Sequence, residues 1–268
     1  MIFTEGNVAQ EKKPVIEVRG LEKKFILSEE NVDSVLKGID LEVFFGEFVI
    51  IFGPSGCGKS TLLNAILGLE HPTKGTIKIR DKNIYSLSQK ELTTLRRQKM
   101  GMVYQQFNWV KSLSVVENVA LPLNIDGHSS KNALSRAQHL LSIFKLEKFA
   151  NYHPHQLSGG QQQRVATARA LALNPWLILA DEPTGNLDTN AGTELMNLFK
   201  NLNEKSKRTI VLVTHNFEYE KYATKVIFME NGKFVDVINK KKVILTEKES
   251  TEDILKQTGG KNAALFYS

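Results

Sequence analysis

The residues from Gly53 to Thr61 are of the types that phosphate binding requires. They read GPSGCGKST and match the G-x-x-x-x-G-K-[ST] pattern of phosphate-binding loops. Glycines let successive backbone N–H groups converge on phosphate oxygens at a helix N-terminus, where the helix dipole favours negative charge. A glycine turn that binds nothing is the alternative. The predicted contacts with a nucleoside triphosphate are made by Gly53, Pro54, Ser55, Gly56, Cys57, Gly58, Lys59, Ser60 and Thr61.

Within this loop the pattern assigns two separate tasks. Lys59 is predicted to reach the β- and γ-phosphates, and the Ser60 hydroxyl is predicted to be a ligand of Mg²⁺. Such a site needs a second acid for the metal and a group that activates water. The segment LILADEP at residues 177–183 supplies both. Asp181, at the end of a buried strand, is predicted to hold the metal, and Glu182 to act as the general base. The two acids could instead cap the next helix.

A second glycine-rich helix start follows about a hundred residues after the first, in the segment Leu157–Gln161, which reads LSGGQ. A serine before two glycines is typical of backbone that approaches an anion closely. Both glycine loops cannot hold the same triphosphate in one compact chain. A two-fold symmetric dimer, in contrast, would turn two half-sites into two whole ones.

As a set, Gly53–Thr61, Leu157–Arg164, Leu177–Asp188 and His215 resemble the nucleotide-binding domain of ABC transporters. The resemblance covers roughly residues 15–237 and implies that the chain binds ATP and Mg²⁺ and hydrolyses ATP. In that family two domains pack head to tail, and the signature helix of one faces the γ-phosphate held by the other. The resemblance therefore implies a homodimer in which ATP is contacted in trans by Ser158, Gly159, Gly160, Gln161 and Asp188.

Three further site residues follow from the same resemblance. Gln105, at the end of the strand MGMVY, matches the family glutamine that touches Mg²⁺ and the attacking water, and Gln106 is the alternative. His215 matches the γ-phosphate histidine, although a histidine alone is more often structural. Phe25 lies where the family usually has a tyrosine that stacks on adenine. A phenyl ring can also stack, and a role in the core is the alternative for Phe25.

The order of strands and helices predicts the fold class. Strands alternating with helices predict an α/β protein with a P-loop, a mostly parallel sheet and an antiparallel β subdomain. A helical subdomain is expected as an insertion at about residues 112–173, because the period is wholly helical from Ser129 to Leu173. The helix after Ser158 is expected to end at Asn174-Pro175. Val15–Arg19 alternates like an edge strand.

These elements divide the chain into three parts. We expect an N-terminal tail at residues 1–14, one ATPase domain at 15–239 and a C-terminal extension at 240–268. Asn231-Gly232 predicts a hairpin near the end of the domain. Ser88 with Glu91, and Ser114 with Glu117, have the spacing of helix capping boxes.

The composition of the chain indicates in which cellular compartment the protein is expected and which partners it could bind. The longest apolar runs, such as Phe48–Phe52, are far too short to span a bilayer. Residues 1–13 show no apolar h-region with a cleavage site, so secretion is not expected, and the single cysteine fits a reducing compartment. The net charge of +6 is scattered, so a solvated surface is the preferred interpretation and no nucleic-acid partner is expected. We expect a cytoplasmic protein, peripheral on the inner face of the membrane.

Transport would then require separate transmembrane permease subunits. Phe107, Trp109 and Val110 are apolar where a loop is normally polar, and they resemble the family surface that receives the coupling helices of those subunits. They could instead hold the two subdomains together. The segments ADEPTGNLD, LSGGQQQRVATARAL and ENVALPL together are most similar to the macrolide-exporter, lipoprotein-release and cell-division branch. The alternatives are a regulatory clamp that signals through a membrane partner in cell division, and a soluble non-transport ATPase of the family.

Overall fold

A computed structural model describes residues 13–26, 28 and 32–240 of the 268-residue chain. Most of the predicted tail at 1–14 and of the predicted extension at 240–268 lies outside the described residues. The described part forms two sheets and six α-helices.

The larger sheet has six strands in the order β10-β9-β3-β8-β7-β6. Its five strands from β9 to β6 are parallel, and β10 is antiparallel at one edge. Every residue of β3 and β8 is buried, because both faces of the sheet are covered and the strands are accordingly apolar throughout. The strands are β3 (Phe48–Phe52), β6 (Met100–Val103), β7 (Leu177–Asp181), β8 (Thr209–Thr214), β9 (Lys225–Glu230) and β10 (Lys233–Asn239).

The smaller sheet is antiparallel, with the order β2-β1-β4-β5. Its strands are β1 (Ile16–Ile26), β2 (Val32–Val43), β4 (Lys74–Ile79) and β5 (Lys82–Asn83). The predicted edge strand at Val15–Arg19 was therefore wrong in position, because β1 pairs with β2 on one side and β4 on the other. Alternation reports which face of a strand is buried and not how many neighbours the strand has.

The helices are α1 (Lys59–Ile66), α2 (Gln89–Lys99), α3 (Val115–Ile125), α4 (Ser130–Ile143), α5 (Gly159–Ala170) and α6 (Thr189–Glu204). Both predicted capping boxes are present, at the start of α2 and of α3. The continuous helical period predicted from Ser129 to Leu173 was wrong, since only two short 3-10 turns occupy residues 144–158. Helix α5 also ends four residues before Asn174, which adopts a left-handed φ of 56° ahead of Pro175.

Strand β3 shows how the larger sheet separates two apolar cores. Phe48, Ile50 and Phe52 face a core completed by α3 to α6, whereas Val49 and Ile51 face the core shared with the smaller sheet. This division follows from the period of two along a strand. The fold is thus the predicted α/β class, with the antiparallel sheet on one side of the parallel sheet and helices α3–α5 on the other.

Candidate nucleotide site and signature pocket

The carboxyl ends of the parallel strands bring distant segments together. In register, Phe52 of β3 lies opposite Thr214 of β8, and Asp181 of β7 lies opposite Val213. The residues that follow these strands therefore emerge at the same edge of the sheet. They are Gly53 after β3, Glu182 after β7 and His215 after β8, and Gln105 lies two residues beyond the parallel strand β6. Ligands of open parallel sheets bind at this edge.

The phosphate loop turns sharply into helix α1. Gly58 caps the helix with a φ of 108°, and a Cβ atom there would lie 2.9 Å from the carbonyl oxygen of Val35. A side chain at this position would therefore be strained as well as crowded. Lys59 is only 5% exposed, and its Nζ donates to the carbonyl oxygens of Gly53 at 2.7 Å and Pro54 at 3.0 Å. The loop thus wraps around the lysine ammonium group.

Two acids and one histidine face this loop. The Ser60 hydroxyl donates to Asp181 Oδ1 at 2.9 Å. One carboxylate oxygen of Glu182 lies 3.6 Å from Lys59 Nζ, and the other lies 3.1 Å from His215 Nδ1. Glu182 adopts a left-handed φ of 44°, while its backbone N–H donates to the Val213 carbonyl at 3.0 Å. The strand ending and the turn together place its carboxylate between a cation and an imidazole.

Asp181 and Ser60 fit a magnesium ion by their chemistry. Burial raises the pKa of Asp181, the hydrogen bond from Ser60 opposes that shift, and the charge of Glu182 adds to it. A cation would stabilise the ionised form. Mg²⁺ prefers oxygen ligands and is commonly held by one or two carboxylates together with substrate phosphates. Within the described residues no group of three or more acids, histidines or cysteines could hold a metal alone.

Gln105 lies beside the turn that carries Glu182. Its side-chain nitrogen is 2.9 Å from the point where a Cβ atom on Gly185 would sit, and the Gly185 N–H donates to the Glu182 carbonyl at 3.0 Å. Gln105 itself is exposed. The structure therefore brings Gln105, Lys59, Ser60, Asp181, Glu182 and His215 to one edge of the sheet.

The predicted in-trans residues form a separate pocket. Ser158 caps α5, and its Oγ and Gln161 make a reciprocal capping box. Asp188 caps α6, where its Oδ1 accepts from the Ala191 N–H at 2.9 Å. None of residues 53–61 lines this pocket. The residues that do are Ser158, Gly159, Gly160, Gln161, Arg164, Asn186, Leu187, Asp188, Ala191 and Glu194.

Phe25 and Cys57 lie in different surroundings. Phe25 is half-buried near the end of β1, with the Lys23 ammonium 4.7 Å from its ring centroid. Cys57 is 5% exposed and belongs to the core shared with the smaller sheet. Burial raises the pKa of its thiol. Any contribution of Cys57 to phosphate binding is therefore through its backbone.

The sequence reasoning missed a set of polar side chains on helix α5. Gln163 is 2% exposed and donates to the Tyr104 carbonyl at 3.3 Å. Gln162 accepts from the Trp109 indole at 2.8 Å. Arg169 donates to two backbone carbonyls of the loop after Gln105. The run of three glutamines was the sequence signal for these bonds, because buried polar side chains nearly always have hydrogen-bond partners.

The loop at residues 107–110 was predicted either to receive membrane subunits or to hold the two subdomains together. Phe107 and Trp109 are half-buried, and their rings stack at 5.8 Å, whereas Val110 is 39% exposed. Trp109 also packs against the core that contains α3 to α6. These residues therefore do join the loop to the helices, and Val110 leaves an apolar surface beside them.

A phosphate loop, an acid pair at the end of the neighbouring strand and a separate signature pocket define the class of ATP-binding cassette ATPases. The chain belongs to the ABC transporter family, whose profile matches residues 36–185, more than half of its length. It is 50% identical over 205 residues to an uncharacterized ABC transporter ATP-binding protein of Methanocaldococcus jannaschii. That match covers 76% of this chain and 91% of the relative.

Other relatives support the branch indicated by the sequence. The lipoprotein-releasing system ATP-binding protein LolD of Zymomonas mobilis is 43% identical, with coverage of 83% of this chain and 95% of LolD. The macrolide export ATP-binding/permease protein MacB of Syntrophobacter fumaroxidans is 42% identical over 81% of this chain but only 31% of its own length.

A solved structure agrees with the fold. The dimeric post-hydrolysis state of the ATP-binding cassette MJ0796, bound to ADP and Pi, superposes with a TM-score of 0.79 at 41% identity. The match covers 85% of this chain and all of that chain. Among the described residues, no helix is long and apolar enough to cross a membrane.

Proposed function

We propose that this chain is an ATPase that dimerises on ATP and Mg²⁺ and drives separate membrane subunits from the cytoplasmic face of the membrane. The observation that carries the proposal is the separation of two half-sites in one chain. Lys59 and the acids lie at one edge of the sheet, whereas Ser158 and Asp188 line a pocket that no phosphate-loop residue enters. A head-to-tail dimer would join the two half-sites.

In this proposal the loop from Gly53 to Thr61 holds the triphosphate through its backbone N–H groups. Lys59 transfers its contacts from the carbonyls of Gly53 and Pro54 and from Glu182 to the β- and γ-phosphate oxygens. Phe25 stacks on the adenine, and Ser158, Gly159, Gly160, Gln161 and Asp188 approach the γ-phosphate from the partner chain. Ser60, Asp181 and Gln105 would hold Mg²⁺, which supplies positive charge to neutralise the phosphate oxygens.

Glu182 is the proposed general base. Once Lys59 turns to the phosphates, the Glu182 carboxylate is free to accept the proton of the attacking water. His215 Nδ1 lies 3.1 Å from a Glu182 carboxylate oxygen. In this proposal His215 orients that carboxylate and contacts the γ-phosphate. The general base and its orienting partner are thus in contact before substrate arrives.

Substitutions in the two proposed half-sites test whether each active site is made from residues of two chains. Lys59→Ala alone, or Ser158→Arg alone, spoils both sites of a homodimer. In a mixed dimer both lesions fall in one site, and the other site has an intact Lys59 and an intact Ser158. An equimolar mixture should therefore regain up to about a quarter of the parent ATPase rate, since half of randomly formed two-fold dimers are mixed and each has one intact site.

The matched control mixes Lys59→Ala with the double variant Lys59→Ala/Ser158→Arg, because no pairing of these chains creates an intact site. ATP-driven dimerisation is followed by light scattering in the same samples, in case both sites must act together. Recovery of neither hydrolysis nor dimerisation in the complementary mixture would contradict the in-trans site.

A further inference from the structure

The loop at residues 107–110, called here the contact segment, is attached to helix α5 by Arg169. The Arg169 guanidinium donates to the carbonyl of Asn108 at 3.1 Å and to the carbonyl of Phe107. Its central carbon also lies 4.6 Å from the centroid of the Trp109 ring. Asn108 has a left-handed φ of 49°, so this irregular backbone depends on an outside donor for two successive carbonyls.

A second attachment runs through Gln162. The Trp109 indole N–H donates to Gln162 Oε1 at 2.8 Å, and Gln162 Nε2 donates to the Leu157 carbonyl at 3.1 Å. Leu157 immediately precedes Ser158. Two hydrogen bonds therefore connect Trp109 to the backbone at the beginning of the signature pocket.

A third attachment lies on the other side of Gln105. Gln163 donates to the carbonyl of Tyr104, and Gln163 is itself almost fully buried. Gln105 is thus bracketed by two segments, residue 104 and residues 107–109, that both bond to α5. A displacement of the contact segment relative to α5 would break several of these bonds at once.

We propose that Trp109, Gln162 and Arg169 are positioning residues that make the contact segment, Gln105 and the signature turn at Ser158 move as one body. This inference rests on the proposed function, in which a membrane subunit bears on the contact segment. A push on Trp109 then displaces Ser158 in one half-site and Gln105 in the other. Apolar packing alone would tolerate sliding, whereas directional bonds to carbonyls and an indole would not.

Tryptophan fluorescence offers a direct test, because the chain has only two tryptophans. Trp176→Phe removes the other one and costs no hydrogen bond, because the Trp176 Nε1 is buried with no hydrogen-bond partner in the described part of the chain. In a Trp176→Phe/Glu182→Gln parent, Trp109 reports on the contact segment while ATP engages the signature pocket. We expect the Trp109 emission to change with the same ATP midpoint as dimerisation measured by light scattering.

Two variants of this parent decide the outcome. Ser158→Arg should abolish both dimerisation and the emission change. Gln162→Leu should still dimerise but lose more than half of the emission change, because the indole is no longer bonded to the signature turn. Full amplitude in Gln162→Leu, or dimerisation of the parent with no change of emission, would overturn the inference. A parent that fails to dimerise would contradict the proposed function instead.

Hydrogen exchange tests the attachment independently of nucleotide and of dimerisation. Trp109→Phe keeps the aromatic ring and removes the indole donor. In the nucleotide-free protein, this variant should speed amide exchange in residues 157–163 about threefold to tenfold, the factor for one neutral hydrogen bond. Val110→Ala, a neighbouring change with no bond to α5, is the control. Unchanged exchange at residues 157–163 in Trp109→Phe would contradict the attachment.

Discussion

At the scale of single residues, Glu182 combines an unusual backbone with a central position. Its φ of 44° is uncommon for a residue with a side chain, and the turn is held by hydrogen bonds to Val213 and from Gly185. The result is a carboxylate that contacts Lys59 and His215 at once. Backbone strain of this kind is often retained where function requires it.

Glu182→Gln should lower ATP turnover by about a hundredfold or more, because the proposed general base is lost while the shape of the side chain is kept. ATP affinity should remain close to that of the parent, and an ATP-bound dimer should accumulate. Steady-state turnover and nucleotide binding on the same preparation measure both effects. Near-normal turnover would move the role of base to His215.

Asp181→Asn should raise the thermal stability of the nucleotide-free protein at pH 7. Burial raises the pKa of Asp181, so folding favours the protonated form. That favourable contribution is complete below the unfolded pKa of about 3.9 and is lost as the pH rises through the folded value. The Tm of Asp181→Asn should therefore lie above that of the parent at pH 7.

Thermal unfolding at pH 7 and near pH 4 measures this effect, and the difference should shrink at the lower pH. Mg²⁺ and ATP should stabilise the parent more than the variant, because Asp181 is a proposed metal ligand. An unchanged or lower Tm for Asp181→Asn at pH 7 would show that the buried charge is already compensated.

The Cys57 thiol should react slowly with alkylating reagents at neutral pH. It is almost fully buried, and burial raises its pKa, whereas the thiolate is the reactive form. The rate should rise as the pH increases beyond the ordinary thiol value of about 8.5, and ATP should slow it further. A bulky adduct should prevent ATP hydrolysis. Stoichiometric alkylation with full ATPase activity would contradict the placement of this loop.

At the scale of elements, the two glycines of the signature turn differ in how closely they pack against helix α6 and its surroundings. A Cβ atom on Gly160 would lie 2.9 Å from the Ala191 Cβ atom, whereas one on Gly159 would lie 3.5 Å from its nearest neighbour, the Asn186 carbonyl oxygen. The first distance forces a shift between two helices, and the second is an ordinary contact.

Gly160→Ala should therefore destabilise the protein by about 1–3 kcal/mol through overpacking. Gly159→Ala is the matched control and should be neutral or stabilising by up to about 1 kcal/mol, because alanine favours the helix. Urea unfolding of the two variants measures the contrast. Equal stability of the two would mean that α5 and α6 are not closely packed at this turn.

At the scale of the whole molecule, the proposed active site joins half-sites from two chains. The pocket of Ser158 and Asp188 contains none of the phosphate-loop residues. The solved cassette MJ0796, similar over 85% of this chain, is dimeric. In the proposed dimer, a two-fold axis would complete both sites with one interface.

ATPase activity should therefore depend on protein concentration more steeply than linearly at low concentration, because in the proposed mechanism only dimers hydrolyse ATP. At high concentration the specific activity should reach a plateau. Turnover measured by dilution from micromolar to nanomolar protein tests this. A specific activity that stays constant far below micromolar concentration would indicate a monomeric ATPase.

The sequence by itself determined the phosphate loop, the acid pair, the signature segment and the α/β class. These are local patterns: a glycine loop, a strand ending in acids and a capping box need only neighbouring residues to be recognised. The order of these motifs was sufficient for the resemblance to the ABC transporter family, which the family match bears out.

Only the tertiary structure decided how these parts meet. The interior position of β1 depends on pairing with β4, more than fifty residues later, and strand alternation carries no information about such partners. The bonds from Gln162, Gln163 and Arg169 to residues 104–109 likewise join chain segments about sixty residues apart. Side-chain hydrogen bonds of this kind follow from packing between elements, and no local period encodes them.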